Sequence, residues 1–241
     1  MINILITGAN GFIAKSLNES LSYHYDINMC DRQKLDLLDS DKVLEYIKLN
    51  NFDVVIHGAT YDAAPEFSTK DPDAVLENNL RMFFNLARCS DYFGKMIYFG
   101  SGAEFSRPHW TPRMSENYFG IHVPVDQYGY SKYLMNEYAS LSSNIYNLRL
   151  FGLFGKYDDW RYRFISNACC KAVLGMSISM RHNSVFDYLY IDDLISTVDW
   201  AINNIPEHKD YNVCSGESIS YMALANLIIE ESGKKLEIIV E

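Results

Sequence analysis

The chain has 241 residues and a formal charge of −10. An acidic balance of that size argues against a general nucleic-acid binder, which carries a basic face, while a phosphorylated ligand held by a few local donors stays open. Apolar residues make up 48%, enough for a sizeable core, yet no apolar run approaches the roughly 20 residues of a membrane-spanning helix.

The elements alternate along the chain. Residues 2–7 read as a short apolar strand, 11–22 as a helix and 27–31 as a second strand. Residues 40–50 form the next helix, with Ser40 as its cap and Val43, Leu44 and Ile47 on one side. Residues 52–57 are a continuous apolar strand of the kind buried on both faces of a parallel sheet. Pro72 and Asp73 open a long helix running to about Asp91. Then come a strand at 95–99, a helix at 126–142 and a strand at 145–150. The pattern loosens afterwards: a helix at 161–174, short strands at 177–180 and 188–190, a helix at 192–203 capped by Asp192, a strand at 211–213, a helix at 221–232 and a strand at 236–240. This alternation specifies an α/β fold, a Rossmann-like doubly wound parallel sheet with right-handed crossovers. Residues 1–150 are expected to form the dinucleotide-binding domain. Residues 151–241 are expected to form a smaller substrate-binding lobe, with elements returning to the main sheet, packed across a cleft.

The five cysteines, Cys30, Cys89, Cys169, Cys170 and Cys214, are odd in number and irregular in spacing. That usage reads as reduced thiols in a cytoplasmic protein. The amino terminus enters a strand with no charged segment or cleavage site, so no signal peptide is expected. His57, His109, His122, His182 and His208 have no partner at metal-ligand spacing, so no metal site is expected.

Two motifs carry chemistry. Thr7-Gly8-Ala9-Asn10-Gly11-Phe12-Ile13-Ala14 joins the first strand to the first helix. Gly8 permits a tight turn, Gly11 lets a pyrophosphate approach backbone N–H groups at a helix start, and Ala14 keeps helix and sheet close. Asp31, at the end of the second strand, can hold the adenosine ribose hydroxyls, which favours NAD; the adjacent Arg32 can accept a 2′-phosphate, which favours NADP. The balance leans to NAD. In the second motif, Tyr128-Gly129-Tyr130-Ser131-Lys132, a phenol and an ammonium stand one helical turn apart on the same face. A fixed positive charge beside a phenol favours the phenolate and lowers its pKa from about 10. Trp110 and Trp160 lie in aromatic-rich loops and fit a sugar cleft or core packing equally well.

Taken together, Gly8-x-x-Gly11-x-x-Ala14, the strand end Ile97-Tyr98-Phe99-Gly100-Ser101-Gly102 and Tyr128-x-x-x-Lys132 resemble the extended short-chain dehydrogenase/reductase superfamily. Arg149 to Gly155, Phe186 to Asp193 and Tyr211 to Gly216 continue the resemblance over essentially the whole chain. The short segment 31–39 is similar to that of the sugar reductase branches, the GDP-fucose synthases and dTDP-4-dehydrorhamnose reductases.

The resemblance implies catalytic roles for Ser101, Tyr128 and Lys132. Tyr128 would exchange a proton with a sugar oxygen, Lys132 would lower its pKa and bind the nicotinamide ribose, and Ser101 would orient the same oxygen. It implies cofactor contacts from Gly8, Asn10, Gly11, Phe12 and Ile13, from Asp31, Arg32, Asp36 and Leu37, and from Ala59 and Asn79, besides Tyr128 and Lys132. Gly102 and Ala103 stand where dehydratases carry an acid pair, and Ala103 where fucose synthases carry a cysteine; Arg163 falls near their histidine. Dehydration and 3,5-epimerisation are therefore not expected. Gly152 and Phe186 stand where the family usually has Asn and Arg on the substrate diphosphate. Arg163 and Arg181, beside Lys156 and Arg161, are the candidate replacements, and Phe186 keeps its place at the substrate. Related chains continue for several tens of residues past the last strand, so part of a substrate lid is expected to be missing after Glu241.

The expected function is NAD(P)-dependent reduction of a nucleotide-diphosphate 4-keto sugar. A C4 epimerase is the alternative, and a catalytically silent dinucleotide-binding regulator or scaffold a second. The helices at 73–91 and 126–142 resemble those that pair such chains into homodimers.

Overall fold

The computed structural model describes residues 1–240. By contact the chain divides into two compact units, Met1–Leu150 with Ile195–Val213, and Phe151–Leu194 with Cys214–Glu241.

The first unit is built on one sheet. Its strands are β1 (Asn3–Thr7), β2 (Asp26–Cys30), β3 (Val54–His57), β4 (Lys95–Ser101), β5 (Ile145–Leu150) and β9 (Asp210–Val213). Their order is β2-β1-β3-β4-β5-β9, and every neighbouring pair is parallel. All four β3 residues are buried, as the run of β-branched residues requires of a strand covered on both faces. Helices α1 (Phe12–Leu21), α2 (Ser40–Asn50), α3 (Val75–Ala87) and α4 (Gln127–Leu141) make the crossovers. One core gathers Leu5, Val55, Phe83, Leu86, Tyr98 and Met135 from strands and helices alike.

Strand order reverses between β1 and β3, which leaves a crevice beyond their carboxyl ends. Gly8 sits there with φ +76°, and a Cβ on it would stand 2.8 Å from the Ala59 nitrogen. Only glycine tolerates both the left-handed backbone and that approach.

In the second unit β10 (Ser218–Ser220), β8 (Val185–Tyr190) and β6 (Gly152–Phe154) form a three-stranded sheet. β11 (Ile238–Val240) pairs with β7 (Ile178–Met180). Helices α5 (Phe164–Leu174) and α7 (Tyr221–Ser232) bury Ala168 and Ala225 with Ile178 and Met180. Helix α6 (Ile191–Asn203) begins in this unit and ends in the first.

Several local expectations are corrected. Asp39, not Ser40, caps α2, its carboxylate accepting from Lys42 N at 3.1 Å; an aspartate one residue earlier supplies a charged acceptor at the dipole's positive end. Asp192 lies inside the first turn of α6, which already begins at Ile191, and so is not its cap. The long helix expected over 73–91 is broken into Pro72–Ala74, α3 and Ser90–Tyr92, with tight three-residue turns at both ends. β2 ends at Cys30, so Asp31 lies in the turn beyond it, and β3 starts two residues after Phe52. β6 and β10, three residues each, were not expected: neither is long enough to show a period of two.

Candidate active site

The carboxyl end of β4 organises the site. Ser101 is its last residue and the N-cap of the short helix Gly102–Phe105. The two ends of that turn hold each other in a capping box. Ala103 N donates to Ser101 Oγ at 3.2 Å, and Ser101 N donates to Glu104 Oε1 at 3.0 Å. Trp110 Nε1 donates to the Gly102 carbonyl at 3.1 Å and ties the following loop down.

Tyr128 and Lys132 come from the start of α4, which Asp126 caps by accepting from Gly129 N at 2.8 Å. Gly129 is required between them: a Cβ there would stand 2.8 Å from the Ala103 carbonyl, so the helix packs backbone-close against the Ser101 turn. Lys132 is buried, and its Nζ donates to the Phe99 carbonyl at 2.8 Å, two residues before Ser101. The ammonium lies 5.9 Å from the Tyr128 ring centre. A second cation, the Arg107 guanidinium, stands 5.8 Å from that ring and is anchored to Asp126 at 2.6 Å. Burial brings the Lys132 ammonium down to about 8, with Glu104 pulling the other way. Lys132 therefore stays charged at pH 7 and begins to lose its proton just above it.

Beneath the turn lies a buried charge network that the sequence analysis missed. Glu104 and Arg149 are both fully buried, with Arg149 Nε on Glu104 Oε2 at 2.8 Å. Asn147 Nδ2 reaches the same carboxylate at 3.1 Å. Arg149 Nη2 reaches Asp210 at 2.5 Å, and Nη1 reaches Asn212 at 2.8 Å. Phe105 lies 4.5 Å from the guanidinium carbon. Asn212 in turn holds the loop before α4, donating from N to Glu116 at 2.8 Å and from Nδ2 to the Met114 carbonyl at 3.0 Å. Burial pushes the Glu104 carboxyl up, and Arg149, the Ser101 N–H and Lys132 pull it down. Every named contact on its oxygens is a donor, so the carboxylate is ionised. Two signals for this network were present in the chain. Ser101-x-x-Glu104 is a capping-box spacing, and Arg149 is a charge inside an apolar strand.

His57 stands on β3, in register with Tyr98 of β4. It is buried, its Nδ1 is 3.0 Å from Thr7 Oγ1, and Thr7 Oγ1 also accepts from Ala59 N at 3.3 Å. Burial, with Lys132 adding to it, lowers the imidazole to about 3 from 6.5, so His57 is neutral in the folded chain. A base depressed on folding contributes stability that is present above its unfolded pKa. That stability is lost as pH falls from 6.5 towards about 3. Each pH unit in that window is expected to cost about 1.4 kcal/mol. Urea titrations from pH 7 to 4 should show the slope in the wild type and its loss in His57→Asn.

The cofactor loop has the geometry a dinucleotide requires. Gly11 is the N-cap of α1 and offers no side-chain cap, so the N–H groups opening that helix face outwards for an anion. The exposed Asn10 and the half-buried Phe12 and Ile13 flank this opening. The switch-point position and the Gly8–Ala59 approach make the residues present fit the pyrophosphate of a dinucleotide.

After β2, Asp31 Oδ1 accepts from Gln33 N and Lys34 N, both at 3.0 Å, which leaves its second oxygen for a ribose. Arg32 pairs with Asp36 at 3.3 Å, its side chain 76% exposed. Leu37 turns into the core, and its carbonyl accepts from Asn85. Asn79 is buried and clamps the loop after β3, accepting from Tyr61 N at 2.7 Å and donating to the Tyr61 carbonyl at 2.9 Å. The first unit thus sets Gly8 against Ala59 at the cofactor loop and gathers Tyr128, Lys132 and the Ser101 turn at the end of β4.

Arg163, Arg181 and Phe186 lie in the second unit. Arg163 is exposed at the N-cap of α5, 5.1 Å from the Tyr162 ring. Arg181 is exposed beyond β7, and Arg161 forms a two-pronged pair with Asp159. Phe186 joins an aromatic cluster with Tyr188 and Tyr221, at 6.4 and 5.9 Å. No group of three or more metal-ligating side chains occurs among the described residues. Nor is any helix among them long and apolar enough to cross a membrane.

A parallel sheet with a glycine turn at its switch point and a Ser–Tyr–Lys group at the next strand end defines a Rossmann-like dinucleotide-binding protein. The NAD dependent epimerase/dehydratase family model matches residues 4–214, and the chain belongs to that family. It is thereby an enzyme of a family that uses a nicotinamide dinucleotide.

Among curated relatives, an ADP-L-glycero-D-manno-heptose-6-epimerase of Cupriavidus pinatubonensis is 24% identical over 95% of this chain and 77% of its own. Among solved structures, a GDP-D-glycero-L-gluco-heptose synthase of Campylobacter jejuni superposes with a TM-score of 0.87 at 17% identity, covering 100% of this chain and 88% of the other. A dTDP-4-dehydrorhamnose reductase of Bacillus anthracis, in complex with NADP, gives 0.84 at 23%, covering 100% and 84%. These likenesses establish the fold.

Proposed function

We propose that this protein reduces the 4-keto group of a nucleotide-diphosphate sugar, with Ser101, Tyr128 and Lys132 as its catalytic residues. The observation that carries the reading is the convergence at the end of β4: Lys132 is anchored on the Phe99 carbonyl, one helical turn from Tyr128 and two residues from Ser101 in the strand. The dinucleotide supplies hydride. Ser101 hydrogen-bonds the sugar carbonyl oxygen and fixes its direction. Tyr128 gives that oxygen a proton as the carbonyl is reduced, and the Lys132 charge eases departure of the phenolic proton. The oxygen thus leaves the site as a hydroxyl and Tyr128 as a phenolate to be reprotonated.

The acids around Ser101 favour reduction over elimination. Gly102 and Ala103 carry no acid, and Glu104 is fully buried against Arg149, out of reach of a substrate. Likeness to a reductase and to a heptose synthase is in keeping with this; C4 epimerisation, which needs the same Ser101, Tyr128 and Lys132 and no further acid, is the second reading. We take Gly8, Asn10, Gly11, Phe12, Ile13, Asp31 and Ala59 as the cofactor's contacts. Asn79, Leu37 and Asp36 shape the loops that carry them. Asp31 favours NAD over NADP, and Arg163, Arg181 and Phe186 are assigned to the substrate side. We place the protein in the cytoplasm as a homodimer paired through α3 and α4. There Phe84 and Tyr138 meet edge to face at 5.2 Å while staying 37% and 39% exposed.

A panel of nucleotide 4-keto sugars with NADH and with NADPH tests the reaction. Oxidation of one nucleotide by at least one sugar is the expected result. No oxidation by any would overturn the reductase. NAD retained through purification, with 4-epimer formed from a hydroxy sugar, would establish the epimerase instead. Sedimentation of the wild type against Tyr138→Glu reads the dimer.

A further inference from the structure

We infer that Glu104 is a positioning residue for this reaction: its buried carboxylate fixes the backbone of Ser101 and supplies the negative charge that holds Lys132 as an ammonium beneath Tyr128. The inference rests on the reductive reading for its effect on turnover but not for its effect on Lys132.

Three observations carry it. First, Glu104 reaches the catalytic serine directly, accepting from Ser101 N at 3.0 Å. Second, its surroundings are built around a negative charge. Arg149 Nε donates to it at 2.8 Å, and Asn147 turns Nδ2 towards it while Asn147 Oδ1, buried, has no hydrogen-bond partner among the described residues. An amide that leaves its acceptor unpaired to aim its donor at a carboxylate marks that carboxylate as charged. Gly100 completes the fit, since a Cβ there would stand 2.1 Å from Asn147 Oδ1 and 2.3 Å from Glu104 Oε1. Third, the Lys132 ammonium is buried, and the group it donates to, the Phe99 carbonyl, carries no charge.

The charged and titratable groups beside Lys132 are Glu104 after β4, His57 in β3 and Tyr128 in α4; Tyr98 in β4, Arg149 in β5 and Asp210 in β9 stand around Glu104 in turn. His57 and Tyr98 are neutral near pH 7, and Arg149 divides its charge between Glu104 and Asp210. Glu104, held on Ser101 N two residues along β4 from the Phe99 carbonyl that Lys132 donates to, is the group whose charge favours the ammonium. Removing that charge while keeping the acceptor for Ser101 N isolates the electrostatic role, and E104Q does so.

The test follows the Lys132 side chain by NMR of isotopically labelled lysine, assigned with K132R, across a pH titration without turnover. In E104Q the Lys132 midpoint is expected to fall by about one pH unit or more, the size of effect one close charge exerts. In the keto-sugar assay kcat should fall about tenfold, with the alkaline limb of its pH profile moving the same way and KM nearly unchanged. An unmoved midpoint, or a kcat limb that stays in place while the protein is merely less stable, would overturn the inference. If E104Q leaves Arg149 too poorly paired to fold, R149M and E104Q/R149M take the same titration; the midpoint should be lower in the double variant than in R149M, and equal midpoints overturn the inference. If the wild type reduces no keto sugar, the reductive reading fails alone, and the Lys132 titration still decides the role of Glu104.

Discussion

Tyr128→Phe is expected to lose about 10²–10⁴-fold in kcat while binding its nicotinamide dinucleotide nearly as well as the wild type. The substitution removes one hydroxyl from a half-buried ring and nothing from the cofactor loop at Gly8 and Gly11. The ring keeps its place beside the Lys132 ammonium at 5.9 Å and the Arg107 guanidinium at 5.8 Å, so a change in fold does not explain the loss. What disappears is the proton donor we propose for the sugar oxygen. Nucleotide fluorescence gives binding, and steady-state reduction of a 4-keto sugar gives turnover. Activity within a few-fold of wild type would remove Tyr128 from the mechanism. The pH profile of the wild type adds a second check. With Lys132 near 8, turnover should decline on the alkaline side as the ammonium loses its proton.

Arg149→Met is expected to cost about 3–5 kcal/mol of stability, because it leaves the fully buried Glu104 without its cation. For a chain of this size that is a fall on the order of 10 °C in Tm. The loss has a pH signature that packing alone lacks. Acid protonates the stranded carboxyl, so the gap between variant and wild type should narrow as pH falls. Melting at pH 8 and pH 5 reads it. A gap that is small at both would show that Asn147 and the Ser101 N–H hold Glu104 without Arg149. Met keeps most of the volume between Phe105 and Phe119, so a void is not the main term.

Much of the architecture was legible in the chain. The apolar stretch expected over 52–57 forms a strand at Val54–His57, buried inside the sheet. Gly8 and Gly11, immediately after an apolar strand, mark a loop whose backbone must approach something closely, and the structure places Gly8 against Ala59. The four-residue spacing of Tyr128 and Lys132 sets them on one face of α4. Boundaries were less legible. Pro72 and the tight turn at Leu86–Cys89 divide one apolar pattern into three helical pieces, because i to i+3 bonding satisfies the helix ends without changing the pattern. The cap of α2 was misplaced by one residue because Asp39 and Ser40 are both good caps, and only the backbone angles choose between them.

By itself the sequence determined the things that depend on neighbours along the chain. These are the alternation of strands and helices, the glycine turn that opens α1, and the phenol–ammonium pair on α4. The tertiary structure decided what depends on distant residues meeting. It brought Glu104, Arg149 and Asp210 together from three segments up to 106 positions apart, and set Lys132 on the carbonyl of Phe99, 33 positions away. A charge is tolerated in a core only when its partner is delivered by the fold, and that delivery leaves little trace in either residue's local sequence.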